Sequence, residues 1–178
     1  MDFNGIALAG VPGAGKSALA KKLAQIFNWQ IISVGDLWRQ RLHKSGNDKL
    51  MGFEEYWRQV PKDDNLAMDL QIEKIFAQGS VIGECRFAKH LQKYPLLLVF
   101  VTADIDTRAK YKMDKYGGKT AGEIKEILKL RESDELEVGR KLYGYDYRDP
   151  EIYHLVLNSA MMSLGEEIAS VAGIVGKP

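Results

Sequence analysis

The chain has 178 residues, which suits one domain with a single core (1–178) and is too short for two comfortable ones. Apolar residues make up 46% of it and charged residues 28%, a balance that excludes a disordered or collagen-like chain. The formal net charge of +1 excludes a broad basic field for nucleic acid and favours small phosphorylated ligands held at a local site.

The location of the protein is suggested by its cysteine count and its apolar runs. Cys85 is the single cysteine, so no disulfide can form within the chain, which fits a reducing compartment. The start of the sequence does not resemble a secretory signal, and no apolar run approaches the length of a membrane span. We therefore expect a cytoplasmic protein without a membrane or nucleic-acid partner, and a monomer in preference to an oligomer.

Short apolar runs alternate with helical periodicity along the chain, which is typical of a parallel α/β sheet. In chain order, the pattern predicts a strand at 6–9, a helix opening near Lys16, a strand at 30–33, and helices at 36–44, 53–60 and 68–79. Strands at 80–83, 96–101 and 155–157 follow, each with the continuous apolar character of strands buried on both faces. Helices are also predicted at 104–115, at 120–142 with a thin apolar stripe, and at 166–174.

A glycine-rich octet, Gly10-Val-Pro-Gly-Ala-Gly-Lys-Ser17, lies between the first strand and the first helix. Its glycines allow a tight turn whose backbone N–H groups face phosphate oxygens at the positive end of a helix. Lys16 would reach the terminal phosphates of a nucleoside triphosphate, and the Ser17 hydroxyl would join a Mg²⁺ shell. The alternative is a glycine-rich turn that binds nothing. The predicted cofactor-binding residues are Gly10, Pro12, Gly13, Ala14, Gly15, Lys16, Ser17 and Ala18.

A phosphate loop is shared by motors, switches and kinases. No guanine-specifying Asn-Lys-x-Asp follows a late strand, and the third strand ends in Glu84 where a motor ATPase usually has a metal-binding aspartate. The length is that of a small-molecule or nucleotide kinase. The sequence therefore favours a kinase.

Several collinear segments resemble the nucleoside monophosphate kinases, in particular the short cytidylate kinases of archaeal type. These segments are Ser33-Val-Gly-Asp-Leu-Trp-Arg39, Val81-Ile-Gly-Glu-Cys-Arg86, Arg131-Glu132, Tyr143-Gly144 and 152–158. The resemblance implies a three-layer P-loop kinase fold with strand order 2-3-1-4-5 and a core at 1–35, 79–115 and 145–178. It also implies a helical acceptor-binding insert at 36–78, a lid at 116–144, and transfer of a phosphoryl group from ATP with Mg²⁺ to CMP or dCMP.

Arginine side chains suit this chemistry, because phosphoryl transfer depends on positioning and on charge stabilisation. Arg39 and Arg86 each follow a predicted strand, so both can lie at the carboxyl edge of the sheet and grip the acceptor phosphate. A surface ion pair is the competing interpretation for Arg86. By the resemblance, Ser33 and Asp36 complete the acceptor site.

The resemblance places Arg108 and Arg131 on the donor side, with Arg108 near the adenine or phosphates and Arg131 on the transferred phosphoryl group. Arg131 also lies four residues before Glu135, so an intrahelical ion pair is an alternative. A pair of glycines at 117–118 could be the hinge of the lid or a plain turn between helices.

The chain departs from the family pattern at several positions. Val138 and Tyr111 stand where the family has arginines, Cys85 replaces a glycine, and the acidic residues of the insert have no clean match to those that contact cytosine. Two alternatives to a cytidylate kinase stay open for this reason. One is a kinase for another nucleotide, a shikimate-like acid or a sugar acid, and the other is a non-catalytic nucleotide-binding protein.

Overall fold

The computed structural model describes residues 2–44 and 60–176, and its framework is a sheet of five parallel strands. The sheet order is β2-β3-β1-β4-β5, which confirms the predicted order. Its strands are β1 (Gly5–Gly10), β2 (Gln30–Ser33), β3 (Val81–Glu84), β4 (Leu96–Thr102) and β5 (Leu155–Asn158).

Six α-helices surround the sheet in the described ranges, and α1 packs against α6. Residues 53–59 of the helix predicted at 53–60 lie outside the described residues, and Val60 is not helical. None of the described helices is both long enough and apolar enough to cross a membrane. The helices are α1 (Lys16–Phe27), α2 (Val34–Lys44), α3 (Lys62–Phe76), α4 (Ile105–Lys112), α5 (Ala121–Val138) and α6 (Leu164–Val175).

The central strands form the core, because β1 and β4 have neighbours on both sides and helices over their faces. Ile6 and Leu8 of β1 and Leu97 and Val99 of β4 are fully buried. The prediction that the fifth strand is buried on both faces was wrong: Val156 of β5 is 46% exposed. β5 pairs only with β4 and lies at the edge of the sheet, a position that its apolar composition does not reveal.

The thin apolar stripe of the charged helix packs onto α4. Ile124 and Leu128 of α5 are buried against Ala109 and form a second, small hydrophobic cluster. A capping box between Thr120 and Glu123 fixes the start of α5. The α-helix ends at Val138, four residues earlier than predicted, and continues as a π-helical turn (Gly139–Tyr143).

The parallel arrangement brings the functional segments to one edge of the sheet. β1, β2 and β3 end at Gly10, Ser33 and Glu84, which are neighbours along this edge. Parallel α/β sheets bind ligands beyond the carboxyl ends of their strands. The fold therefore assembles one cleft from segments that are far apart in sequence.

Candidate active site

The glycine-rich loop has a backbone conformation that residues with a side chain could adopt only with strain. Gly10, Gly13 and Gly15 have φ values of +143°, +89° and +89°. A Cβ atom on Gly10 would lie 2.1 Å from the carbonyl oxygen of Val101, so a side chain there would collide with β4. The loop leads directly into α1, whose first residues Lys16, Ser17 and Ala18 line the cleft, and the start of a helix favours anions. Its backbone therefore fits a phosphate cradle.

Lys16 lies against the loop that it follows. Its Nζ donates hydrogen bonds to the carbonyl oxygens of Gly10 (2.7 Å) and Val11 (2.9 Å). Burial lowers the pKa of Lys16 to about 8, while the carboxylates of Glu135 and Glu84 act in the opposite direction. An anion at this point would favour the charged ammonium.

Ser17 has an acidic partner that the sequence analysis did not assign to the site. Its hydroxyl donates a 2.7 Å hydrogen bond to Oε2 of Glu84, which ends the neighbouring strand β3. A hydroxyl and a carboxylate are hard oxygen ligands of the kind that Mg²⁺ prefers. The position of Glu84 at the end of the strand beside β1 was the available signal for this pairing.

Another wall of the cleft is formed where β2 passes directly into α2. The Oγ of Ser33 accepts a hydrogen bond from the backbone N–H of Asp36 at 3.3 Å. The Arg39 guanidinium donates to Oδ1 of Asp36 through Nε (3.1 Å) and Nη2 (2.5 Å). The Arg39 side chain is 46% exposed, so an anion in the cleft can reach it.

Two of the predicted arginines meet on a single buried carboxylate. Oε1 of Glu135 lies 3.0 Å from Nε of Arg86 and 3.1 Å from Nε of Arg131. The Glu135 side chain is only 3% exposed, and its other oxygen accepts a 3.4 Å hydrogen bond from Tyr147. The Arg86 side chain is 12% exposed, so its ion pair with Glu135 is largely buried and is not a surface pair. Arg131 does form the intrahelical pair with Glu135, but inside the cleft.

Arg108 contacts the glycine-rich loop at Pro12 and does not line the cleft. Its Nη1 donates to the carbonyl oxygen of Pro12 (3.3 Å) and to Glu132 on α5 (2.8 Å). The residue is 7% exposed. Arg148, which sequence reasoning missed, reaches Glu132 from the other side at 3.1 Å. These contacts join the glycine-rich loop to α5.

The residues that depart from the family pattern have structural partners. Tyr111 lines the cleft and donates a 2.9 Å hydrogen bond to the carbonyl oxygen of Ser159. Val138 packs against the main core. Cys85 is buried, and burial raises the pKa of its thiol to about 12, so the thiol stays protonated. A packing role for Cys85 agrees with this environment.

The cleft has a volume of about 700 Å³, within the range of small-ligand sites. All eight predicted loop residues line it, together with the four predicted acceptor residues and Arg131. Arg108 is the predicted site residue that the structure places elsewhere. Glu84, Glu135, Tyr111, Lys21, Lys112 and Lys115 also line the cleft.

Comparison with known proteins agrees with this arrangement. The model of the cytidylate kinase-like family matches residues 5–161. The chain belongs to this family. Membership confirms the family resemblance seen in the sequence and identifies a kinase of the nucleoside monophosphate class, for which ATP is the implied phosphoryl donor.

Curated relatives named cytidylate kinase align with most of the chain. The cytidylate kinase of Ignicoccus hospitalis is 31% identical over 158 residues, covering 88% of this chain and 90% of the relative. The cytidylate kinase of Archaeoglobus fulgidus is 30% identical over 154 residues, covering 86% and 84%.

Solved structures share the fold at low sequence identity. An uncharacterized protein from Eubacterium ventriosum has a TM-score of 0.71 at 16% identity, covering 96% of this chain and 97% of its own. A shikimate kinase from Acinetobacter baumannii has a TM-score of 0.61 at 12% identity, covering 97% and 93%. A gluconokinase from Sinorhizobium meliloti scores 0.60 at 17% identity, covering 98% and 95%.

Proposed function

We propose that this protein transfers the γ-phosphoryl group of ATP to CMP or dCMP, giving ADP and the nucleoside diphosphate. The observation that carries the proposal is the convergence of Lys16, Arg86 and Arg131 in one cleft that the phosphate loop closes on one side. The curated relatives named cytidylate kinase support CMP as the acceptor. Cationic side chains from both sides of the cleft suit a reaction that spreads charge between donor and acceptor.

The donor half would be the loop with Lys16 and Ser17. Backbone N–H groups of the loop hold the ATP phosphates, and Lys16 exchanges its two carbonyl partners for phosphate oxygens. Ser17 and Glu84 would hold Mg²⁺, because their oxygens already lie within 2.7 Å of each other. When bound, Mg²⁺ neutralises charge on the donor phosphates.

The acceptor half would be Arg39 and Arg86, with Ser33 and Asp36 shaping the turn from β2 into α2. Two guanidinium groups can hold one phosphate and leave its remaining oxygen directed at the donor. Arg131 would stabilise the transferred phosphoryl group, since Glu135 links it to Arg86. Arg108 positions the loop through the Pro12 carbonyl and does not touch the nucleotide.

Closure over the substrates would come from the segments assigned as insert and lid. We propose that residues 36–78 carry the acceptor and that residues 116–144 form the lid, with the glycines at 117–118 as its hinge. Gly118 has a φ of +83°, and apart from its chain neighbours no atom of the described residues lies within 4 Å of where a Cβ would stand. A closed lid excludes water, and hydrolysis of ATP then competes less with transfer.

A panel of acceptors tests the proposal. ADP release with ATP and Mg²⁺ is measured for CMP, dCMP, UMP, AMP, GMP, shikimate and gluconate, and we expect CMP and dCMP to have the highest kcat/KM. The last two acceptors are included because the fold is shared with a shikimate kinase and a gluconokinase. Phosphorylation of shikimate or gluconate, with no phosphorylation of any nucleoside monophosphate in the panel, would contradict the proposal. Tight binding of ATP without transfer to any acceptor would contradict it as well.

A further inference from the structure

The last residue of α4, Lys112, is half-buried and lines the cleft. Within residues 2–44 and 60–176 its ammonium group has no hydrogen bond and no ion pair. Lys110, two positions earlier on the same helix, is exposed and does not line the cleft. A half-buried charge without a partner is costly, so the position of Lys112 suits an anion that enters the cleft.

The packing of α4 against the glycine-rich loop sets the place of Lys112. The Cβ atom of Arg108 lies 3.2 Å from the point where a Cβ on Gly13 would stand. One turn of the loop later, Cε2 of Tyr111 lies 3.9 Å from the same point at Gly15. Lys112 follows Arg108 by four residues, so the two share one face of the helix. The helix therefore carries Lys112 to the cleft one turn beyond its contact with the loop.

Other cations near Lys112 are held differently. Arg108 is buried and bound to the loop and to α5, and it does not line the cleft. Lys115 lines the cleft but is exposed, and its Nζ lies 5.6 Å from the ring centre of Tyr116. Of the lysines at 110, 112 and 115, Lys112 is therefore the one that packing partly fixes and that still faces the cleft.

The charges that act on Lys112 come from several walls of the cleft. Burial lowers the pKa of Lys112, and the neighbouring charges of Lys115 and Arg131 act in the same direction. Glu84 at the end of β3 acts in the opposite direction, and Arg39 on α2 adds to the repulsion. Glu84 belongs to the proposed donor side and Arg39 to the proposed acceptor side, so Lys112 lies in the field of both. A phosphate among these groups would relieve the repulsion between the cations.

We propose that Lys112 is a catalytic residue that binds the phosphoryl group during its transfer. In this step the bond between the γ-phosphorus of ATP and the bridging oxygen breaks, and its electron pair stays on ADP. A new bond forms between the phosphorus and a phosphate oxygen of the acceptor. Lys112 stays protonated and moves no proton, because its part is to stabilise negative charge on the oxygens of the moving group. The inference rests on the proposed phosphoryl transfer and not on the identity of the acceptor.

Steady-state kinetics of Lys112→Ala give the first test, with ATP, Mg²⁺ and the acceptor that the wild type phosphorylates best. We expect kcat to fall roughly 100-fold, as for the loss of one group that stabilises transition-state charge. KM for ATP and KM for the acceptor should each change less than about threefold. Lys110→Ala is the matched control, since it removes the same side chain from the exposed part of the same helix, and it should keep the wild-type kcat.

Chemical restoration of the charge separates catalysis from packing. Lys112→Cys treated with 2-bromoethylamine regains an ammonium group at the length of lysine, whereas iodoacetamide gives a neutral side chain. We expect kcat of the aminoethylated protein to exceed that of the neutral adduct at least about tenfold. Cys85 is buried and burial raises the pKa of its thiol to about 12, so wild type treated with either reagent should keep its activity.

Each result supports or overturns the role of Lys112. A kcat close to wild type in Lys112→Ala overturns it, and so does a higher KM with unchanged kcat; both leave the kinase function standing. Equal kcat values for the two adducts indicate a structural role and overturn it as well. Should Lys112→Ala fail to fold, the two adducts decide alone, because they share one polypeptide and differ in charge. Wild-type protein that phosphorylates no acceptor refutes the proposed function, and the role of Lys112 with it.

Discussion

Glu135 is the residue whose replacement should be most informative about the cleft. In Glu135→Gln the side chain keeps its shape and one carbonyl oxygen but loses the charge that faces Arg86 and Arg131. Both guanidinium groups are largely buried, with side chains 12% and 21% exposed. Removing one partner from a buried ion pair leaves an uncompensated charge, which is strongly destabilising.

The size of the effect follows from the contacts. Each charge-assisted hydrogen bond contributes about 1.5–3 kcal/mol, and the glutamine retains part of both. We therefore expect the free energy of unfolding to fall by about 3 kcal/mol, within the range for a broken buried pair. For a chain of 178 residues this corresponds to a drop in Tm of roughly 6–12 °C.

Thermal and urea unfolding followed by circular dichroism measure the change. Glu137→Gln is the matched control, because Glu137 is exposed on the same helix, and it should change stability by less than about 0.5 kcal/mol. Phosphate groups of bound substrates would replace the lost negative charge, so ATP with CMP should stabilise Glu135→Gln more than wild type. A loss no larger than that of the control would refute the assignment of Glu135 as the charge partner of the two arginines.

Three further predictions concern Lys16 and Arg86. Lys16→Ala should lower kcat by several orders of magnitude in the ADP-release assay, since it removes the cation at the terminal phosphates; unchanged turnover would contradict its role. Burial lowers the pKa of Lys16 to about 8, and a triphosphate favours the charged form, so ATP binding should take up a proton above that pH and weaken as pH rises. Calorimetry at about pH 9 in two buffers of different ionisation enthalpy measures this uptake, and Lys16→Arg, which stays protonated, should show none. Arg86→Ala should raise KM for CMP at least tenfold and change KM for ATP little. A higher KM for ATP with an unchanged KM for CMP would mean that Arg86 belongs to the donor site, contrary to the proposal.

Local patterns in the sequence were sufficient for most of the fold. The strand at Gln30–Ser33 and the start of α1 at Lys16 lie where predicted, because turn residues and apolar periodicity mark them directly. The edge position of β5 was missed, since burial of a strand depends on its neighbours in the sheet. The end of α5 at Val138 was missed because the helical pattern continues into the π-helical turn.

The site was predictable where one contiguous segment forms it and less so where distant segments meet. The phosphate loop is contiguous, and all its predicted residues line the cleft. The pairing of Ser17 with Glu84 spans 67 positions, and the contact of Arg108 with Pro12 spans 96. The spacing to Glu135 indicated an ion pair with Arg131, but only the packing of α5 over the cleft brings Arg86 to the same carboxylate.

Transfer of a phosphoryl group from ATP to CMP can be observed directly. Phosphorus NMR of the protein with ATP, Mg²⁺ and CMP follows both products in one sample. We expect CDP and ADP to appear in equal amounts, and both to form several orders of magnitude more slowly with Lys16→Ala. Release of ADP and inorganic phosphate without CDP, or no reaction with CMP while another acceptor is phosphorylated, would contradict the proposed function.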